Sequence, residues 1–303
     1  MEKIGPKFSV MIAVSFILLN LLDFGEVSGH RLSRKHRKSK RMEQNILTDL
    51  PRLVGSSGVQ SSIINGINSQ CKPFYVRIDV RENPDALVPS YFCGGTIVDR
   101  RWVMTAANCV QNYKFDQIRV KEFNCWYDAI HTSHVEAVFI APNFQQRPKR
   151  RNDIALIKVK THYPDHRVMP ICQVEPELGT ILGSCGLGST SAPKLTIPTH
   201  IQEVFFYESM FENIDPFNFE TCAPGNVCTD TVTDDSNICV GDEGNPLYSF
   251  SCQTSISPHC LYGVASYFLP LTHPQQMATC KDGSVYASVI PHTDWVFQTM
   301  LLN

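Results

Sequence analysis

The chain has no cysteine before Cys71, no acidic residue between Arg31 and Arg41, and no CxxC pair anywhere. Past residue 22 it has no apolar run long enough to cross a bilayer. Each absence removes a class. Without CxxC pairs a structural zinc site has little to build on, and His131 and His134 stand alone in what reads as a loop. No metal and no cofactor is therefore expected. Without a later apolar run, nothing beyond the N-terminus reads as a membrane span. No internal repeat is evident.

What is present is a chain of 303 residues, 43% hydrophobic and 10% aromatic. That is enough for one large packed unit or two smaller ones. Lys3 and Lys7 lead into an apolar run over 8–22, broken by Ser9, Ser15 and Asn20. Val27 and Gly29 offer small residues for cleavage near His30. Residues 1–29 thus read as a signal peptide. The other reading is a membrane anchor, for which the run is short. All 12 cysteines lie beyond residue 70. An even count behind a signal peptide reads as a disulfide framework made in an oxidising compartment. A secreted, extracellular protein is expected, with neither membrane nor nucleic acid as partner.

The net charge of -2 hides an asymmetry. Seven Lys or Arg lie between Arg31 and Arg41, whereas from Ile63 onward 17 basic residues face 24 acidic ones, a balance of -7. Residues 30–62 lack apolar periodicity and pass from basic to Ser/Gly-rich, which reads as a propeptide or disordered linker. The run Arg34-Lys35-His36-Arg37-Lys38-Ser39-Lys40-Arg41 keeps three readings open: a solvated linker, a proprotein convertase site, or a patch for sulfated glycans spanning Arg31 to Arg41.

From Ile63 the texture changes to short β-type segments with Gly, Pro and Asn at the breaks. Strands are expected over 74–80, 91–98, 103–106, 118–121, 135–140 and 154–159. A second series is expected over 180–184, 202–207, 246–250, 262–267 and 284–289. Such regular short strands suggest barrels or sandwiches. Residues 291–302 fit one amphipathic helix with Trp295 and Val296 on its apolar side.

Several motifs then occur in order: Ile63-Ile64-Asn65-Gly66; Tyr91-Phe92-Cys93-Gly94-Gly95-Thr96-Ile97-Val98 with Trp102-Val103-Met104-Thr105-Ala106-Ala107; Asn152-Asp153-Ile154-Ala155-Leu156-Ile157; Gly241-Asp242 with Pro246-Leu247; Val285-Tyr286; and Asp294-Trp295-Val296. In this order and spacing the chain from Ile63 to its end, about four fifths of the sequence, resembles the chymotrypsin/trypsin-like serine proteases. The resemblance implies an all-β fold of two packed six-stranded antiparallel barrels with a C-terminal helix and a cleft between the barrels.

It also exposes two departures. Asn108 stands where the family has its catalytic His, and Glu243 where it has the nucleophilic Ser; Asp153 keeps the triad Asp. A serine hydroxyl needs an adjacent base to become a nucleophile. An amide accepts no proton near neutral pH, and a carboxylate is a poor acyl acceptor. Loss of Ser or His alone typically costs about a million-fold in such triads. With both gone, Asp153 is expected merely to hydrogen-bond the amide of Asn108. The specificity pocket is degenerate by the same comparison: Asn237 at its base brings no acid, and Phe268 replaces a Gly in the Ser266-Tyr267-Phe268 segment that contacts substrate backbone. The stretch between Tyr267 and Cys280 is longer than usual and forms a candidate interaction loop. The activation switch, in which a freed Ile amine pairs with an Asp, keeps Ile63 and Asp242 as vestiges. Ser61-Ser62 precede Ile63, so a trypsin-like activator has nothing to cut there. The secreted form is expected to start near His30 or Met42, leaving Asp242 solvated or partly protonated.

The resemblance implies the bridges Cys93–Cys109 and Cys239–Cys280, and with some displacement Cys222–Cys228 and Cys185–Cys252. The last four cysteines allow three pairings, of which Cys71–Cys125 and Cys172–Cys260 fit the family fold. The function expected is that of a non-catalytic protease homologue in an extracellular fluid, of the kind common in invertebrates. Its partners would be active proteases, inhibitors or other homologues. Two alternatives are a hydrolase of unfamiliar mechanism and a glycan-binding protein acting through the basic arm.

Overall fold

The structure is a computed structural model that describes residue 63 and residues 66–69, 72–123, 129–146, 150–175, 180–188, 200–208, 224–231, 236–250, 259–268 and 284–303. The expected signal peptide (1–29), the basic arm (30–62), and residues 269–279 of the insertion lie outside these.

Six strands form a closed antiparallel barrel: β2 (Tyr75–Val80), β3 (Tyr91–Asp99), β4 (Trp102–Thr105), β5 (Ile118–Phe123), β6 (Ala129–Ile140) and β7 (Ala155–Val159), in the order β2-β3-β4-β7-β6-β5. The sequence favours these strands for plain reasons. In β5, Ile118, Val120 and Glu122 turn inward while Arg119, Lys121 and Phe123 are only partly buried, the period-two pattern of a pleated strand. Val76, Ile78, Ile97, Met104, Ile118 and Leu156 fill the interior, all fully buried. Glu122 is buried too, and its charge is met by Arg167 and the Ser133 hydroxyl.

The second half contains β1 (Ile67–Asn68), β8 (Ile181–Gly186), β9 (Gln202–Glu208), β10 (Asn226–Thr231), β11 (Pro246–Ser249), β12 (Cys260–Phe268) and β13 (Ser284–Ser288). They hydrogen-bond in the order β1-β9-β10-β13-β12-β11-β8, and β8 also pairs with β9. That last pairing brings the sheet round on itself, with β1 added at its edge. A separate apolar cluster, with Leu182, Val204, Phe206, Leu247 and Tyr286, fills this half. The chain ends in a helix, Thr293–Leu302, anchored by Val296 and Thr299. This is the expected mostly β architecture. Strands β1 and β10 were not foreseen, and β6 begins six residues earlier than its apolar segment. His131 and His134 accordingly lie in strand β6, not in a loop.

Candidate functional site

Strand register builds the site. β4 and β7 pair with Thr105 opposite Ala155. This sets the short helical turn α1 (Ala107–Val110), which follows β4, beside Asp153, which precedes β7. Asp153 is fully buried. Its Oδ1 accepts the backbone N–H of Asn108 at 2.7 Å, and its Oδ2 accepts the Ser266 hydroxyl at 2.6 Å. Burial raises the Asp153 pKa, while the Ser266 hydroxyl, the Asn108 N–H and Arg150 oppose the shift. The expected bond from the side-chain amide of Asn108 is not made. That side chain turns outward, where its Oδ1 accepts from Gln146 Nε2 at 3.2 Å. The reason is local: the main chain of α1 already fills the near lone pair of Asp153.

Glu243 sits in the tight loop before β11. Gly94 N–H of β3 donates to the Glu243 carbonyl at 2.7 Å, and Gly244 N–H donates to Ala265 of β12 at 2.7 Å, so the loop is tied to both barrels. Gly241 and Gly244 have φ of 91° and 84°, which favour glycine. A Cβ on Gly244 would stand 2.3 Å from the Gly94 carbonyl. The loop bends the Glu243 side chain back on itself: Gly241 N–H donates to Oε2 at 2.9 Å, and the residue's own N–H also acts on the carboxylate. Glu243 is only partly buried as a residue, yet its carboxyl is withdrawn from water. Loss of water there raises its pKa, opposed by those N–H groups and by Arg150 and reinforced by Asp153.

Arg150 was not singled out from sequence. Its Nη1 donates to the Ser266 carbonyl, and its guanidinium lies 6.0 Å from the centre of the Tyr267 ring. Its own carbonyl accepts from Asn226 Nδ2 at 3.0 Å. The only sequence signal was an arginine three residues before Asp153.

Asp242 is fully buried rather than solvated. Gly188 N–H and Cys239 N–H donate to it at 2.9 Å each, and Asn245 Nδ2 donates at 2.7 Å. Burial nevertheless pushes its pKa up to about 7. Asn245 fills the space above two glycines: a Cβ on Gly94 would meet its Oδ1 at 1.8 Å, and one on Gly186 its Nδ2 at 1.9 Å. Ile63 is buried among the second apolar cluster, with φ of 54°. Asn237 is fully buried. Its Oδ1 accepts from Ile238 N–H at 2.9 Å and from the Ser284 hydroxyl, while its Nδ2 has no partner among the described residues. Phe268 ends β12 opposite Ser284; its side chain lies outside the described part.

A family model for trypsin matches residues 63–296. The chain belongs to the trypsin family. It is similar to mouse (Mus musculus) kallikrein 1-related peptidase b21, with 25% identity over 81% of this chain and 92% of that protein. It is also similar to the thrombin-like enzyme BjussuSP-1 of Bothrops jararacussu, with 26% identity over 70% of this chain and 88% of that protein. Among solved structures, neuropsin, described as a serine protease expressed in the limbic system of mouse brain, aligns with a TM-score of 0.58. That alignment has 20% identity and covers 78% of this chain and 100% of neuropsin, a likeness of fold.

The disulfides follow the fold in part. Cys93 bonds Cys109 and Cys172 bonds Cys260. Cys228 and Cys239 are disulfide-bonded; their expected partners Cys222 and Cys280, like Cys71 and Cys125, lie outside the described residues. The expected Cys185–Cys252 bridge is not formed, because Cys185 is a buried free thiol. Register explains it. Ser249, the last residue of β11, stands opposite Leu182, three positions from Cys185, and β11 runs on away from it. Residue 252 itself lies outside the described part.

Proposed function

We propose that this trypsin-family protein is secreted and non-catalytic, and that it acts by binding other extracellular proteins. The observation that carries the reading is the state of the cleft. The residue at the base position, Asn108, turns its side chain to Gln146, and the residue at the nucleophile position, Glu243, folds onto Gly241 N–H. Neither can deliver an activated hydroxyl to an acyl carbon. The relatives are named as a peptidase and an enzyme, and the reading departs from those names on the residues at these two positions. The described residues include no helix long and apolar enough to span a membrane, in keeping with secretion.

The test is direct. Purified protein is offered a panel of fluorogenic peptides and a serine-reactive phosphonate. No turnover and no labelling are expected. Turnover that persists in Glu243→Ala would mean that other residues carry chemistry and would overturn the reading.

A further inference from the structure

One outer face of the first barrel has a charge opposite to that of the body as a whole. Strands β3, β2, β5 and β6 lie side by side. Their register puts Phe92, Asp79, Arg119 and His134 in one row, and Gly94, Arg77, Lys121 and Thr132 in the next. Residues directly opposite one another share a face. These rows hold three fixed cations, Arg77, Arg119 and Lys121, against one acid, Asp79, in a body whose balance from Ile63 onward is -7. Arg77 stands opposite Lys121, a pairing that repels unless something compensates. Asp79 does so in part. It is fully buried; its Oδ1 accepts from Arg77 Nε at 2.7 Å, and its Oδ2 accepts from Arg77 Nη2 at 3.3 Å and from Lys121 Nζ at 2.9 Å. One carboxylate for two cations, with Arg119 beside them, leaves positive charge over. Glu136, farther along β6, does not cancel it, because Arg101 and Lys158 engage it. The surplus is also held in place. The Arg77 guanidinium lies 5.4 Å from the centre of the Phe92 ring and 5.7 Å from that of Phe123, and its Nη1 has no partner among the described residues. A guanidinium fixed by a bidentate pair and two rings loses little freedom when it donates again.

We propose that Arg77, Arg119 and Lys121 form a docking site for a short acidic segment of a partner protein that also carries an apolar side chain. All three cations are partly exposed, and Phe123, next outward residue along β5 from Lys121, gives the apolar side chain a seat. Charge complementarity selects the occupant. A long polyanion such as a sulfated glycan would run past three cations onto an acidic body and be repelled there, whereas a few carboxylates end where the patch ends. The inference deepens the proposed binding role and rests on it for the kind of partner. It is read from binding alone, so its failure would leave the missing turnover untouched.

The test follows backbone amides by NMR in the full chain carrying isotope-labelled arginine and lysine. A synthetic peptide of alternating glutamate and phenylalanine is added, and in parallel its counterpart with glutamine for glutamate. The glutamate peptide is expected to shift Arg77, Arg119 and Lys121 saturably, and less so as sodium chloride rises. The glutamine peptide is expected to leave them still. Lys114, exposed before the turn that leads into β5, is the reference and should not follow. Reading each residue separately keeps the site apart from the basic arm, which can attract the same peptide. In Arg119→Ala with Lys121→Ala, the peptide concentration that half-shifts Arg77 is expected to rise about tenfold, the loss of two partly exposed charge pairs. Stillness of the three amides with the glutamate peptide, or an equal response to the glutamine peptide, overturns the proposal. So does a heparin hexasaccharide that shifts them at lower concentration than the peptide, because the face would then belong to glycans. If the double variant does not fold, the two peptides compared on the unaltered protein decide alone.

Discussion

At the scale of single residues, Asn245 does unexpected work. Its side-chain amide gives Asp242 a donor from within the same loop. Removing it in Asn245→Ala leaves a buried carboxylate one partner short, at a cost of about 1–3 kcal/mol. The pH dependence of that cost is a sharper check. Asp242 has a pKa of about 7, above its ordinary value, so the folded state holds the proton more tightly than the unfolded chain. Its contribution is therefore fully present below the ordinary carboxylate range and is lost as pH rises to about 7. Urea denaturation should show Asn245→Ala penalised more at pH 8, where the carboxylate is charged, than at pH 5. An equal penalty at both would mean that Asp242 does not need this donor. Asp242→Asn should flatten the slope across the window and be better tolerated at pH 8 than at pH 5, because it removes a buried charge that the unaltered protein carries only at the higher pH. Cys185 gives a further check. Burial raises its thiol pKa and shields it. A maleimide applied without reductant should label Cys185 only after denaturation, and labelling of the native protein would contradict its buried placement.

Among the elements, the strands that sequence foretold are those with an apolar period. The segments 118–121 and 154–159 appear almost as read, as Ile118–Phe123 and Ala155–Val159. β10 was missed because Asn226, Thr229, Asp230 and Thr231 carry no such signal. Pairing with β13 on one side and β9 on the other makes it a strand. The start of β6 was missed for the same reason, since residues 129–132 are exposed and only the partnership with β5 keeps them extended. The site divides likewise. Asn108, Asp153 and Glu243 were legible from motif positions, whereas the turn of Glu243 onto Gly241 and the reach of Arg150 depend on loop geometry that no local pattern records. One bond between elements is open to measurement. Cys93–Cys109 ties β3 to α1 across 16 residues. Replacing both cysteines by alanine should cost about 3 kcal/mol, read as a lower denaturation midpoint. An unchanged midpoint would show that the loop is held by packing alone.

For the molecule as a whole, restoring a triad should not restore a protease. In Asn108→His with Glu243→Ser, Arg150 still donates to the Ser266 carbonyl, and Asn237, expected at the base of the specificity pocket, is still neutral and buried. Peptide turnover should stay orders of magnitude below that of active relatives, and trypsin-like rates in the double variant would refute this account of the cleft. The uncut chain is expected to be the working form, with N-terminal sequencing of the secreted protein finding a start near His30 or Met42; a start at Ile63 would contradict it. In the structure Ile63 already packs inside the second apolar cluster, and Asp242 already has its donors. The bond from Asn245 to Asp242 therefore has a consequence for control. A zymogen waits for an upstream enzyme, so its cascade sets the moment of action. If the uncut chain is the working form, as proposed, a chain that carries its own donor is in shape as soon as it folds, and the amount made, rather than any cutting event, sets how much is at work.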